Sequence, residues 1–137
     1  MSWLVDTNVV SEATRRRPNA RVRSWLKQQE PLASYVSVMT VFEIELGVAR
    51  KERTDPVQGQ MLRRWAEQVI ERDFRGRVLP VDAAVASIAA RMHIPDPRPE
   101  RDAFIAATAL HHNLTVVTRN VEDFAPLGVR VFDPWSG

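Results

Sequence analysis

Apolar positions along the chain follow two rhythms. Trp3-Leu4-Val5, Tyr35-Val36-Ser37, Val78-Leu79, Leu114 to Thr118 and Val129 to Phe132 are short and apolar or β-branched, and read as strands. The segments between them repeat at helical spacing. Residues 8–13 predict a short helix ended by an arginine run and Pro18. Asn19 then caps a helix to about Gln29, with Val22, Trp25 and Leu26 on one face, and Pro31 breaks the chain. Thr40 is read as the cap of a helix carrying Ile44, Leu46 and Val48, which frays in Arg50–Arg53. Asp55-Pro56, a cap followed by proline at the first helical position, opens a helix to about Phe74, and Gly76 ends it. Asp82 caps an alanine-rich helix to about Met92. The proline-rich stretch HIPDPRPERD predicts an irregular loop, and a second alanine-rich helix runs from about Glu100 to His112, stopped by Asn113.

Strands separated by helices of this length need crossover connections. The fold class is therefore α/β, a central parallel sheet flanked by helices in an α/β/α sandwich. With 137 residues, 1–137 form a single domain. In such sheets ligands bind beyond the carboxyl ends of the strands, which draws attention to Asp6 and to the stretch Thr118–Asp123.

Composition narrows the function classes. Apolar residues make up 45% and charged residues 26%, enough to bury a core and to exclude disorder as the default. No apolar run approaches the length of a membrane span, and the first residues lack a signal-peptide pattern, so a cytoplasmic location without membrane contact is expected. Cysteine is absent, which removes disulfides, thiolate metal sites and a cysteine nucleophile. The net charge of +2 is small, but Arg15, Arg16, Arg17, Arg21, Arg23 and Lys27 crowd one stretch and Arg50, Lys51 and Arg53 a second. Such clusters suit phosphate binding, although charge alone favours a solvated helix face with arginine stems lying over apolar surface.

Asp6, Glu43, Asp102 and the pair Asn120/Asp123 are the candidate chemistry. Each lies at a strand end or near a helix start, and these share one edge of a parallel sheet. Each also has a structural reading: Asp6 as a helix cap, Glu43 as the partner of Thr40 in a capping box, Asp102 favoured by the helix dipole, Asn120 and Asp123 as turn residues. The set is more telling than any member. Clustered carboxylates raise one another's pKa unless a cation neutralises them, and all-oxygen donors without cysteine or clustered histidine suit Mg²⁺ or Mn²⁺. One or two such ions, roughly 3.5–4 Å apart where there are two, activate water for attack on a phosphodiester.

LVDTNVVSE, TVFEIELGVA, RDAFIAATAL, TVVTRNVEDF and VFDPW, in this order and spacing, resemble the successive motifs of PIN domains, and more narrowly the VapC/FitB-type toxins of bacterial toxin–antitoxin pairs. The resemblance runs from Leu4 to Trp135. It implies a Mg²⁺- or Mn²⁺-dependent endoribonuclease with Asp6, Glu43 and Asp102 as metal-binding acids. It leaves the last position open between Asn120 and Asp123, with Asp123 as the carboxylate. Thr7, Asn8 and Thr118 match the polar residues that orient carboxylates or bind phosphate, and Arg15, Arg16 and Arg17 are the candidate substrate-binding residues. Glu45 matches no site position and is expected to point elsewhere; Trp135 is expected to anchor the C-terminus by packing.

The implied partners are an RNA substrate, a cognate small antitoxin, a second copy of the chain in a homodimer, and promoter DNA reached through the antitoxin. Free of antitoxin, such a toxin would inhibit translation and growth. The alternative is a weakly or non-cleaving module that acts mainly in the promoter-binding complex. A phosphotransfer enzyme with Asp6 as nucleophile fits less well, because Asn8 stands where that chemistry wants a second aspartate.

Overall fold

A computed structural model describes all residues, 1–137. Five strands form one wholly parallel sheet: β1 (Trp3–Val5), β2 (Ser34–Ser37), β3 (Val78–Leu79), β4 (Thr115–Val117) and β5 (Val131–Phe132). Their spatial order is β3-β2-β1-β4-β5. The chain thus builds outward from β1 on one side, then returns to the other side of β1 to add β4 and β5. That makes the β1/β4 boundary the switch point of the sheet, where a crevice opens beyond the strand ends.

The alternation of side chains across β1 and β4 assigns the two faces. Val5 and Val117 point into one core with Val9, Val22, Val36, Val48, Ala66 and Val69. Leu4 and Val116 point into the other with Ile105, Ala106, Ala109 and Phe124. The first face is covered by helices α1 (Thr7–Ser11), α2 (Ala20–Gln28), α3 (Val38–Thr54) and α4 (Pro56–Gln68), the last continuing into a π-turn over Val69–Asp73. The second is covered by α6 (Glu100–His111) and α7 (Val121–Phe124); α5 (Ala83–Met92) packs on α6 through Val85, Ala89, Ala103 and Ala107. Trp3, Trp25 and Phe132 stack at ring separations of 5.2–5.9 Å and tie α2 and β5 to β1.

Several helix ends follow from single residues. Asn19, Asp55 and Asp82 cap α2, α4 and α5 through their side chains, as their positions predict. Asn113, in the left-handed region at φ 55°, ends α6: its own N–H donates to the Leu110 carbonyl at 3.3 Å and the Leu114 N–H to the Ala109 carbonyl at 2.8 Å. Three expectations are corrected. Thr40 is not a cap; Ser37, buried at the end of β2, accepts from the Met39 N–H at 3.0 Å and starts α3 without an intervening loop. Nor does α3 fray at Arg50–Arg53. It runs to Thr54 because α4 folds back along it, with Arg63 pairing to Glu45 and Glu52 at 2.5 and 3.0 Å. The stretch after Asn120, read as a turn, forms the short helix α7, which buries Phe124 in the second core.

The α3–α4 hairpin depends on Gly59. A methyl group there would lie 2.4 Å from the Glu52 Cα, so the backbones would have to separate. We expect Gly59→Ala to cost about 1–3 kcal/mol in urea unfolding. Gly47→Ala, in the same hairpin but with nothing within 4 Å of the added group, is expected to gain about 0.5–1 kcal/mol instead.

Candidate active site

The register Val5↔Val117 sets the residues that follow, Asp6 and Thr118, side by side at the switch point. The Asp6 N–H continues the ladder to the Val117 carbonyl at 2.9 Å, after which the chain turns into α1. Asp6 is fully buried. Its Oδ1 accepts from the Thr7 N–H at 2.8 Å, so it does cap α1, and its Oδ2 accepts from the Thr118 hydroxyl at 2.7 Å. The Thr118 oxygen in turn accepts from the Asn8 Nδ2 at 3.3 Å and the Asn120 N–H at 3.0 Å. With both donors pointing at that oxygen, the hydroxyl proton is left for Asp6. Asn8 is itself held by the Arg119 N–H on its Oδ1 at 3.3 Å. Cap and site are thus one arrangement.

Glu43 arrives from α3. Because Ser37 starts the helix, Glu43 stands in its second turn and reaches across to α1, where the Thr7 hydroxyl donates to Oε1 at 2.8 Å. Thr40, buried one turn earlier, lies 3.2 Å from the same hydroxyl. The capping-box reading of Glu43 is therefore replaced by a contact between elements. Glu45 points away to Arg63, and Trp135 packs against the first core, both as expected.

Asp102 comes from the first turn of α6 and is 7% exposed. The residue before it supplies the feature that sequence reasoning missed. The Arg101 guanidinium donates from Nη2 to Asp6 Oδ1, from Nε to Glu43 Oε1 and from Nη1 to Asp102 Oδ1, the last at 2.7 Å. Three carboxylates from three elements thus converge on one cation. A basic residue directly before a site aspartate was the available signal, but an exposed arginine in the first turn of a helix looks the same in sequence.

Electrostatics follow from that crowding. Burial pushes the Asp102 carboxyl above its ordinary value, and the charges of Asp123 and Asp6 add to this against the opposing pull of Arg101. Burial pushes the Arg101 guanidinium down, but the Asp6 charge and the Glu43 hydrogen bond outweigh it and hold Arg101 above its usual value. One positive charge against three carboxylates leaves an excess of two negative charges when all are ionised.

Asp123, exposed in the first turn of α7, is near enough for its charge to act on Asp102. Asn120 is exposed and meets the cluster only through its backbone N–H, on Thr118. Arg15, Arg16 and Arg17 are exposed beyond α1 and none touches the acids; Arg15 lies 3.5 Å from Glu12. Glu12, buried and also unforeseen, accepts from the Asn19 N–H at 2.9 Å and so fixes both ends of the loop bearing those arginines. No group of three or more acidic or histidine side chains has the arrangement of a metal site as it stands, and one oxygen of each of the three acids is turned toward Arg101. The donor set is nonetheless suited to a hard cation: it consists of oxygens only, carries excess negative charge and already surrounds a positive group. A cavity of about 610 Å³ between α2 and the π-turn contains none of these acids.

The family model for the PIN domain matches residues 3–127. Toxin FitB of Neisseria gonorrhoeae is 40% identical over 137 residues, covering 96% of this chain and 97% of that protein. VapC ribonuclease Y4jK of Sinorhizobium fredii is 31% identical, covering 97% of each. Among solved structures, FitAcB from Neisseria gonorrhoeae superimposes with a TM-score of 0.90 at 40% identity over 97% of this chain and 98% of that one. FitAB bound to an IR36 DNA fragment does so with a TM-score of 0.85 at 38% identity, over 97% of this chain and 95% of that one.

The raised Asp102 carboxyl has a consequence for stability. The native state holds that proton more tightly than the unfolded chain, so this residue's contribution falls as pH rises from about 4 toward its raised value. In chelator, we expect Asp102→Asn to gain stability relative to the parent across that window and to be no less stable at pH 7. Thermal unfolding of the two proteins from pH 4 to 7 measures the difference, and a difference running the other way would contradict the electrostatic account.

Proposed function

The chain belongs to the PIN-domain family, and from that premise we propose that it is the ribonuclease toxin of a toxin–antitoxin pair, hydrolysing RNA phosphodiester bonds with Mg²⁺ or Mn²⁺ held at the acid pocket. The observation that carries the reading is the convergence of Asp6, Glu43 and Asp102 on a single positive charge at the switch point of the sheet. Such a cluster is costly to keep unless a cation is wanted there. A divalent ion bound there supplies an activated water and offsets charge on the phosphate.

The chain's own residues supply the rest. Asp6, Glu43 and Asp102 would hold the ion, with Asp123 and Asn120 at the rim. Thr118 orients one Asp6 oxygen and the Thr7 N–H the other, while the Thr7 hydroxyl fixes Glu43, so the carboxylates keep their directions when a substrate arrives. Burial of Asp6 keeps bulk water off that side. The exposed arginines beyond α1 offer sequence-independent attraction for the RNA backbone. As the resemblance to toxin–antitoxin toxins implies, a cognate small antitoxin would cover the toxin, the pair would dimerise, and DNA would be reached through the antitoxin; the structure of FitAB bound to a DNA fragment supports the last step. Release of the toxin would then stop growth by cutting RNA needed for translation.

Incubation of the purified chain with defined RNAs in Mg²⁺, Mn²⁺ or chelator tests the activity. Cleavage is expected with either metal and none in chelator. Asp6→Asn keeps the cap, since asparagine serves that position as well, and is expected to lose more than about 100-fold in rate with its fold intact. Thr118→Ala, which removes only the orientation of Asp6, is expected to lose about 10–100-fold. Metal-independent cleavage, or full activity in Asp6→Asn, would refute the assignment. No cleavage of any RNA would favour a module that works only within a DNA-bound complex.

A further inference from the structure

Arg101 occupies the place that the proposed function gives to a metal. Its three donating nitrogens are divided among Asp6, Glu43 and Asp102, one on each. The Asp6 oxygens are otherwise committed: Oδ1 to the Thr7 N–H, Oδ2 to Thr118. Arg101 takes one oxygen of each acid, and a divalent ion held by the same three acids would stand directly against its charge, so the two cations compete for the pocket. We propose that Arg101 is a resident counter-cation which the divalent ion displaces, and that the displaced guanidinium then binds the RNA phosphate at the mouth of the pocket. The proposal rests on the metal-dependent reading above.

The structure indicates which partner moves. Asp6 is fully buried and tied to two strand ends, Glu43 is held by Thr7 from α1, and the Asp102 side chain is 10% exposed at a helix start packed into the core. Arg101 is the long, flexible member, and its side chain is 27% exposed. It sits in the first turn of α6, so its anchor stays at the pocket mouth wherever the guanidinium swings. Charge favours the exchange. One arginine leaves two negative charges unbalanced, whereas a divalent ion leaves one. Once free, a planar guanidinium suits a phosphate bidentately better than any other side chain. Exchange would thus keep the pocket partly neutralised without metal and furnish a phosphate clamp with it.

Mn²⁺ binding to the full chain, followed by the electron paramagnetic resonance of free Mn²⁺ without RNA, is the first readout. The second is KM and kcat for RNA cleavage at saturating Mn²⁺. Arg101→Ala is expected to bind Mn²⁺ about 5- to 150-fold more tightly, the range of a typical coupling between two ligands. At saturating metal its KM is expected to rise about 10-fold or more. Arg101→Gln, which keeps polar contacts to the carboxylates, guards against a folding defect and is expected to behave alike, with circular dichroism confirming the fold. Arg101→Lys retains a charge but not the three-way fork, so it is expected to tighten Mn²⁺ binding while keeping KM within a few-fold of the parent. Unchanged or weaker Mn²⁺ binding in Arg101→Ala and Arg101→Gln, or tighter binding with no rise in KM, overturns the exchange and leaves the metal site standing. Absence of Mn²⁺ binding in parent and variants alike overturns both.

Discussion

A fully buried carboxylate at the end of the central strand is the constraint from which the site grows. Asp6 cannot be kept ionised inside the protein unless its oxygens are met by donors, since an unpaired buried charge is among the most expensive features a fold can carry. Its partners come from separate parts of the chain: the first N–H of α1, a hydroxyl at the end of β4 and a guanidinium at the start of α6. Satisfying one side chain therefore requires β1 and β4 to be neighbours in register, α1 to start at once, and α6 to begin above the same crevice. The topology that places β1 between the two halves of the sheet makes this possible.

The same constraint explains why the polar residues beside Asp6 are not interchangeable surface positions. Thr118 passes on the effect of two donors, from Asn8 and Asn120, by having only its proton left to offer Asp6. Thr7 works on two acids at once, with its backbone on Asp6 and its hydroxyl on Glu43. The VDTN and VVTRN stretches are thus two sides of one hydrogen-bonded unit. Their positions in the chain lie more than a hundred residues apart.

Much of this is legible in the sequence. The strands, the parallel sheet and most helix ends follow from local rules that act within a few residues, and Asn19, Asp55, Asp82 and Asn113 all terminate helices as their side-chain chemistry predicts. The convergence of Asp6, Glu43 and Asp102 followed from their placement at strand ends and helix starts. What escaped depends on contacts between distant segments. Thr40 satisfies the local pattern of a cap, but Ser37 begins the helix sooner because it is already at the end of a buried strand. α7 is too short for periodicity to reveal and exists because Phe124 has a core to enter. Arg101 and Glu12 look like ordinary charged residues, and only the fold shows that each is spent on a specific partner.

Arg101 also separates what stabilises the protein from what the site is arranged to do. A pocket selected for stability alone would match its acids with equal positive charge or replace them with apolar groups, since buried ion pairs contribute little against well-packed hydrophobic residues. Here three carboxylates face one arginine, and Asp102 is held in surroundings that resist its ionisation. The resulting excess of negative charge is a stored affinity for cations, kept in a protein whose net charge is +2. The positive residues responsible for that balance, such as Arg15, Arg16 and Arg17, stand outside the pocket rather than inside it. Attraction for a polyanion at the surface and for a cation within the crevice are opposite electrostatic demands. The chain meets both by placing them in different environments, exposed loop and buried strand end, a short helix apart.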